Sequence, residues 1–413
     1  GILLQLLFFY LAVKYPKGWL PVILFSFWYL ITGGFAWMFA MMYSLYLALN
    51  SLKRDWPKIV IMTGVTLLMI WFLREFFMFH TFRDMVVYPL SREGTGLPLM
   101  LFPAVTVAVI LLPAIAKMRI RMPLAVRRLE QYKSIIIAVV ALLLAGITSV
   151  LRYSKVYSEY FAAEKLFFSE KYRELNDYVD KHPSTNRLTI YLNNIALCET
   201  GRLNDRMFNY LQSPDGQSLF LKWEMYGEVL RRGAYFYYTT GMINEAERWA
   251  FENMVMKGIA PEDLRILIKS EIINGNYTVA SKYASMLRRT FAYRKEAKEY
   301  TLMLADTSLI DGHPELGLKR KEKIGHDFFS ITDNPYINIE MAFTADTFNR
   351  KLYDYRMAFH MLTENYEGIV AELPHLERLG FTKVPVHIQE AALVSRMSGL
   401  SLSGLGSLRI DPQ

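Results

Sequence analysis

This sequence lacks most of the chemistry that marks an enzyme. A single cysteine, Cys198, in 413 residues excludes an intrachain disulfide and any thiolate metal cage built by this chain alone. The seven histidines (His80, His182, His313, His326, His360, His375 and His387) form no HxxxH or HExxH pair, so surface and capping roles are expected of them and no metal site. A glycine-rich phosphate loop, a serine nucleophile elbow and a Cys/His pair are also absent. No catalytic residue and no cofactor is read from the sequence. Charge is missing as well, over four long stretches: between Lys17 and Lys53, and over Ile59–Leu73, Leu97–Ala116 and Ser134–Leu151. From Arg152 onward no run approaches the roughly 18 apolar residues that about 30 Å of hydrocarbon demands.

What is present follows that division. The expected fold is all-α, with a transmembrane helical domain over 1–151 and a soluble helical-repeat domain over 152–413. Five spans are expected, at about 1–13, 19–49, 59–79, 97–116 and 134–151. The second is too long for one upright helix, since about 30 residues rise roughly 45 Å; it must tilt, protrude, or break at Gly33 and Gly34. Pro103 and Pro113 predict kinks in the fourth. Gly1 lies within an apolar run with no basic segment before it, which reads as a piece of a longer protein.

The net charge of +8 is not spread evenly. Residues 1–151 hold 14 basic and 5 acidic side chains, whereas the remaining 262 hold 33 and 34. Basic residues flanking apolar spans set membrane topology, and a nucleic-acid binder would carry them on its soluble part, so nucleic acid is excluded as a partner. The segment Lys117–Lys133 carries six basic residues against Glu130 alone, a cytoplasmic signal. Alternation then puts the loop with Lys53, Arg54 and Lys58 inside, and 80–96 and everything after 151 outside. Arg74 and Glu75, beside Trp71, Phe72 and Phe76, read as an anchor at the outer interface.

The soluble half reads as amphipathic helices punctuated by short turns. A polar or glycine-bearing turn is followed by an apolar residue at Lys171–Tyr172, Arg202–Leu203, Met242–Ile243, Asn276–Tyr277 and Asn365–Tyr366, and small residues follow, as in Gly275, Tyr277, Ala280 and Ala284 or Gly241, Ile243, Ala246 and Ala250. This pattern resembles the tetratricopeptide repeat family over about 156–287 and 353–380, in degenerate form, with spacings of 31, 40 and 34 residues among the first four turns. The resemblance implies an extracytoplasmic α-α solenoid whose concave surface holds a protein partner. Together with the multi-span start, the chain also resembles in style uncharacterised integral membrane proteins of Bacteroidota. That implies a bacterial inner membrane protein with residues 152–413 in the periplasm, in contact with membrane lipid.

The leading expectation is therefore a membrane-anchored scaffold or adaptor that binds a protein partner, as a subunit of an envelope complex. Tyr235 and Tyr238, in the run Ala234–Gly241, are the candidate aromatic binding platform, with packing between repeats as the competing reading. Lys319, Arg320, Lys321 and Lys323 read as a solvated helix face. The enzymatic alternative is a multi-span glycosyltransferase or ligase with a lipid-linked donor, in which Arg83, Asp84, Arg92 and Glu93 of the outer loop act on a phosphate-linked sugar.

Overall fold

The structure, a computed structural model, describes residues 2–15, 18–76, 82–87, 106–117, 153–223, 229–325 and 334–402, with 143, 147 and 150. Among the described residues there are helices and no β-strand. The chain divides into two compact units, Gly1–Tyr153 and Ser154–Gln413.

The first unit holds α1 (Ile2–Lys14), α2 (Leu20–Thr32), α3 (Ala36–Phe76), α4 (Phe82–Val87) and α5 (Leu112–Lys117). The run expected to form one span over 19–49 is instead two helices joined by a 3-10 turn, Gly33–Phe35. Gly33 sits at φ 59°, which glycine adopts without the Cβ clash of other residues. Phe25 and Phe39 stack with ring centroids 5.3 Å apart, although continuous helix would hold them about 21 Å apart. α2 and the start of α3 therefore form a hairpin.

α3 bends as well. A straight helix of its 41 residues would be about 60 Å long, yet the Tyr29 hydroxyl, before it, donates to the Met85 carbonyl, after it, at 2.5 Å. The break is Ser51, at φ −152° and ψ 33°, whose hydroxyl donates to Asp55. Pro57, which has no amide to give the helix ladder, follows it. At this bend the Lys117 ammonium donates to the Leu49 carbonyl, while α4 packs against the 3-10 turn.

Phe27, Ile31 and Leu68 are 61%, 70% and 62% exposed, so much of the apolar surface faces outward. Among the described residues one helical stretch, Leu20–Phe76, is long and apolar enough to cross a membrane. Of the five spans expected, the described residues show this one stretch; the span expected over 97–116 is described from 106 on, and that over 134–151 only at 143, 147 and 150.

The second unit runs through α6 (Lys155–Phe168), α7 (Tyr172–Lys181), α8 (Arg187–Glu199), α9 (Leu203–Arg206), α10 (Val229–Thr240), α11 (Ile243–Lys257), α12 (Pro261–Asn274) and α13 (Tyr277–Leu287). It continues with α14 (Arg294–Ala305), α15 (Ser308–Asp311), α16 (Leu316–Glu322), α17 (Pro335–Ala345), α18 (Arg350–Leu362), α19 (Tyr366–Glu372), α20 (His375–Arg378) and α21 (Val386–Met397).

Five helix pairs share one turn. Lys171, Arg202, Met242, Asn276 and Asn365 each donate a backbone N–H to the carbonyl five residues back, at 2.7 to 3.1 Å. The residue before each has positive φ: Glu170, Gly201, Gly241, Gly275 and Glu364. The residue after each begins the next helix. This is the Schellman arrangement, which satisfies carbonyls left open at a helix end and reverses the chain in two residues. Small residues then let the paired helices close up: a Cβ on Gly233 of α10 would lie 2.0 Å from the Trp249 ring of α11.

The first helices of the pairs, α8, α10 and α12, are enclosed. Every residue from Thr189 to Cys198 and from Asp263 to Ile273 is buried, as is all of Val229–Thr240 except Arg231. A helix buried all round needs neighbours on every face. One side is covered by the paired helices; on the other, α16 packs on α12, and α18 packs on α8, α9 and α10. Tyr355 of α18 meets the Phe236 ring edge-on at 4.9 Å, and Phe359 meets Phe220 at 5.5 Å. The face expected to stand open as a concave groove is filled by the chain's own later helices.

Candidate functional site

Two buried polar clusters lie where the later helices meet the enclosed ones, and they differ in how completely they are satisfied. The first is an ionic spine. Arg265 of α12, 5% exposed, donates to the Phe168 carbonyl and to Glu170 at 2.6 Å each, and to Glu296 at 2.7 Å. One turn later Lys269 bridges Glu170 at 2.6 Å and Glu315 at 2.7 Å. Glu315 also accepts from the Tyr238 hydroxyl at 2.8 Å. Lys319 of α16 continues the line, donating to the Thr239 carbonyl at 2.6 Å and lying 3.3 Å from Glu322 and 3.7 Å from Glu199. Lys351 of α18 closes it, 2.7 Å from Glu199. Burial pushes the Glu199 carboxyl up, but Lys319 and Lys351 outweigh it and hold it at about 2.

The second cluster floors a cleft of about 200 Å³ between α9, the start of α18 and residues 380–385. Asn204 follows Gly201 in the second of the five turns, and Asp354 faces it from α18. The Asn204 amide donates to Asp354 Oδ1 at 2.9 Å and to the Asp354 carbonyl at 3.3 Å. Asn204 is 2% and Asp354 4% exposed. Asn204 Oδ1, fully buried, accepts no hydrogen bond from the protein. Burial pushes the Asp354 carboxyl up to about 7, with Arg350 and the Asn204 amide offsetting only part of it. Asp205 accepts from the Val386 amide at 2.8 Å and so holds the start of α21 beside the cleft. At the rim the Arg350 guanidinium lies over the Phe381 ring at 3.9 Å.

The candidate residues read from the sequence are not brought to this cleft. Tyr235 and Tyr238 are 7% and 6% exposed, packed in the core. Tyr235 contacts the Phe167 and Phe168 rings at 5.1 and 5.5 Å, and Tyr238 lies under Lys269 and Lys319 at 5.7 and 5.3 Å. In this conformation they offer no open platform. Lys319, read as part of a solvated face, is 2% exposed. Arg83 and Asp84 fall in α4, with their side chains outside the described residues, as Arg92 and Glu93 are entirely. No group of three or more His, Cys, Asp or Glu able to hold a metal occurs among the described residues.

Asn204, Asp205, Arg350 and Asp354 carried no signal as a set, because Asn204 and Asp354 are 150 residues apart. The one local sign is an acid between two tyrosines, Tyr353 and Tyr355, in a helix otherwise patterned for burial. No curated protein and no solved structure matches the chain. A family model does match it, over residues 1–413, and the chain belongs to that family, DUF6057, a family of unknown function.

Proposed function

We propose that this protein is a membrane-anchored helical-repeat adaptor, of tetratricopeptide-like ancestry, that docks a protein partner on the extracytoplasmic face of a bacterial inner membrane. The observation that carries the reading is the α9–α18 cleft, a polar recess whose buried floor holds an acid with no ion-pair partner among the described residues, while every buried cation of the spine beside it meets an acid. A recess of about 200 Å³ suits one side chain or chain end inserted from a partner, not a large cofactor. The five shared turns support the repeat ancestry. Two observations support the orientation: Lys117, at the start of the basic segment, reaches the bend at Leu49, and α4 lies with the opposite turn. Outward Phe27, Ile31 and Leu68 form the kind of surface that lipid covers.

Two measurements test this reading. Cysteine introduced at exposed Lys295 in a Cys198→Ser background is expected to react with an impermeant maleimide on spheroplasts; reaction only after lysis refutes the orientation. Partner capture by the full chain in mild detergent is expected to fall about tenfold in Asn204→Leu, the scale of one lost buried polar contact. Capture is expected to persist in Arg83→Ala and Asp84→Asn. Loss of cellular function in those two outer-loop variants with the complex intact would favour lipid-linked donor chemistry instead.

A further inference from the structure

α6 is the first described helix of the second unit, and its sides differ in kind. Tyr160, Ala163, Phe167 and Phe168 are buried, where α6 packs on α7 and α8. Its acids are engaged within the protein. Glu164 accepts from the Arg232 guanidinium and, at 2.9 Å, from the Tyr160 hydroxyl, and Glu159 lies 3.7 Å from His182 and 3.6 Å from Lys155. Another side carries Tyr157, Phe161 and Lys165, spaced so that they form one stripe along the helix. Tyr157 and Phe161 are 62% and 60% exposed. The free end of a helical array needs a polar outer face to stay in solution, so two bare aromatic rings there call for a cover. The chain itself indicates which. The uncharged run Ser134–Leu151 ends six residues before Tyr157, and six residues span about 20 Å at most. Leu143, Ile147 and Val150 of that run, spaced as one helical face, are exposed, as side chains in lipid are. A helix running straight on from Leu151 would lift Phe161 about 15 Å beyond the run. Instead Ser154 is extended, at φ −110° and ψ 114°, and α6 starts afresh after it. Aromatic rings beside a lysine are the side chains that settle where hydrocarbon meets water.

We propose that α6 lies on the membrane surface, with Tyr157 and Phe161 at the boundary between acyl chains and headgroups and Lys165 among the lipid phosphates. The bilayer then takes the place of the capping repeat that the array lacks at this end. This rests on the membrane-anchored half of the adaptor reading and not on the partner.

The test puts one environment-sensitive fluorophore on single cysteines of the full chain, in a Cys198→Ser background, in lipid nanodiscs with or without nitroxide-labelled phosphatidylcholine. The positions are Tyr157→Cys and Phe161→Cys on α6, Ile31→Cys in the first unit, and Phe348→Cys, an exposed aromatic position between α17 and α18. Nitroxide lipid is expected to quench the probe at 31, 157 and 161 and to leave it bright at 348. With Tyr157→Asp added, the probe at 161 is expected to lose most of that quenching at an unchanged melting temperature, because an acid replaces a ring at the headgroups. Quenching that survives Tyr157→Asp intact overturns the proposal, as does quenching at 348 equal to that at 161. Quenching at 31 with none on α6 overturns it and leaves the anchor standing, whereas no quenching anywhere overturns the anchor as well. Blue-shifted emission at 161 without quenching means that protein covers the face, a second copy if the shift fades on dilution, and overturns the lipid.

Discussion

The spine and the cleft floor are built from the same materials, in the same unit, at the same kind of junction, and they end in opposite states. In the spine every buried cation meets at least one acid: Arg265 meets two, Lys269 two, and Lys319 and Lys351 share Glu199 and Glu322. In the cleft one carboxyl is buried with an amide alone, and that amide's oxygen is left over. Burying a charge is costly unless it is paired. The spine is thus a structural fastening, whereas among the described residues no ion pair meets the buried acid of the cleft floor.

The sharpest way to break this comparison is to make the spine as incomplete as the cleft. Lys269→Met leaves Glu315 with the Tyr238 hydroxyl but no cation at 2.7 Å, and leaves Glu170 to Arg265 alone, while keeping most of the side chain's length. It is expected to destabilise the protein by about 3 kcal/mol, the lower end for breaking a buried pair because both acids are partly solvated. A denaturant midpoint unchanged from wild type would show that the spine holds nothing together.

The cleft should respond with the opposite sign. The Asp354 carboxyl is raised to about 7 by burial, and so is Glu372, where Arg356 offsets the burial only in part. Acids raised in the folded state bind protons more tightly there than in the unfolded chain. Their contribution is complete below about pH 4 and is lost as pH rises through about 7. Glu199, held at about 2, acts the other way, and its contribution is lost only as pH falls toward that value. Melting temperature is therefore expected to decline between pH 5 and pH 8. Asp354→Asn is expected to flatten that decline and to stabilise the protein at pH 8 by about 1 to 3 kcal/mol, while changing little at pH 5. Destabilisation at pH 8 would mean that Asp354 already has its cation.

The smallest effects lie in the turns. Gly275, at φ 82° with open space around its Cβ position, is expected to lose about 1 kcal/mol on change to Ala, from backbone strain alone. Glu364 occupies the same place at φ 53°, and Glu364→Gly is expected to gain up to about 1 kcal/mol. Equal and opposite shifts in melting temperature would show the five turns to be interchangeable.

Those turns were legible because a glycine, a polar residue and an apolar helix start recur in sequence. Glu170 and Glu364 hid in the same role, since glutamate carries no mark of positive φ. The break at Gly33 was one of three outcomes open to an overlong apolar run. The enclosure of α8, α10 and α12 was not legible, because it depends on α16 and α18 returning across the unit. Lys319 looked solvated for the same reason: charge in a basic run predicts water unless a distant Glu199 arrives to meet it. The cleft needed both halves of the unit before it existed at all.

That return has a consequence for how the unit comes into being. Asn204 waits 150 residues for Asp354, Glu199 waits 152 for Lys351, and Asp205 waits 181 for Val386. An open repeat array can fold from either end, each repeat settling on the last. Here the early hairpins keep an apolar and charged flank bare until the residues from Glu315 to Val386 have been synthesised. Contacts of such long sequence separation form slowly. The nascent chain therefore passes through a long interval in which its future interior faces solvent and chaperones, and completion is closer to the shutting of a clasp than to the stacking of coins.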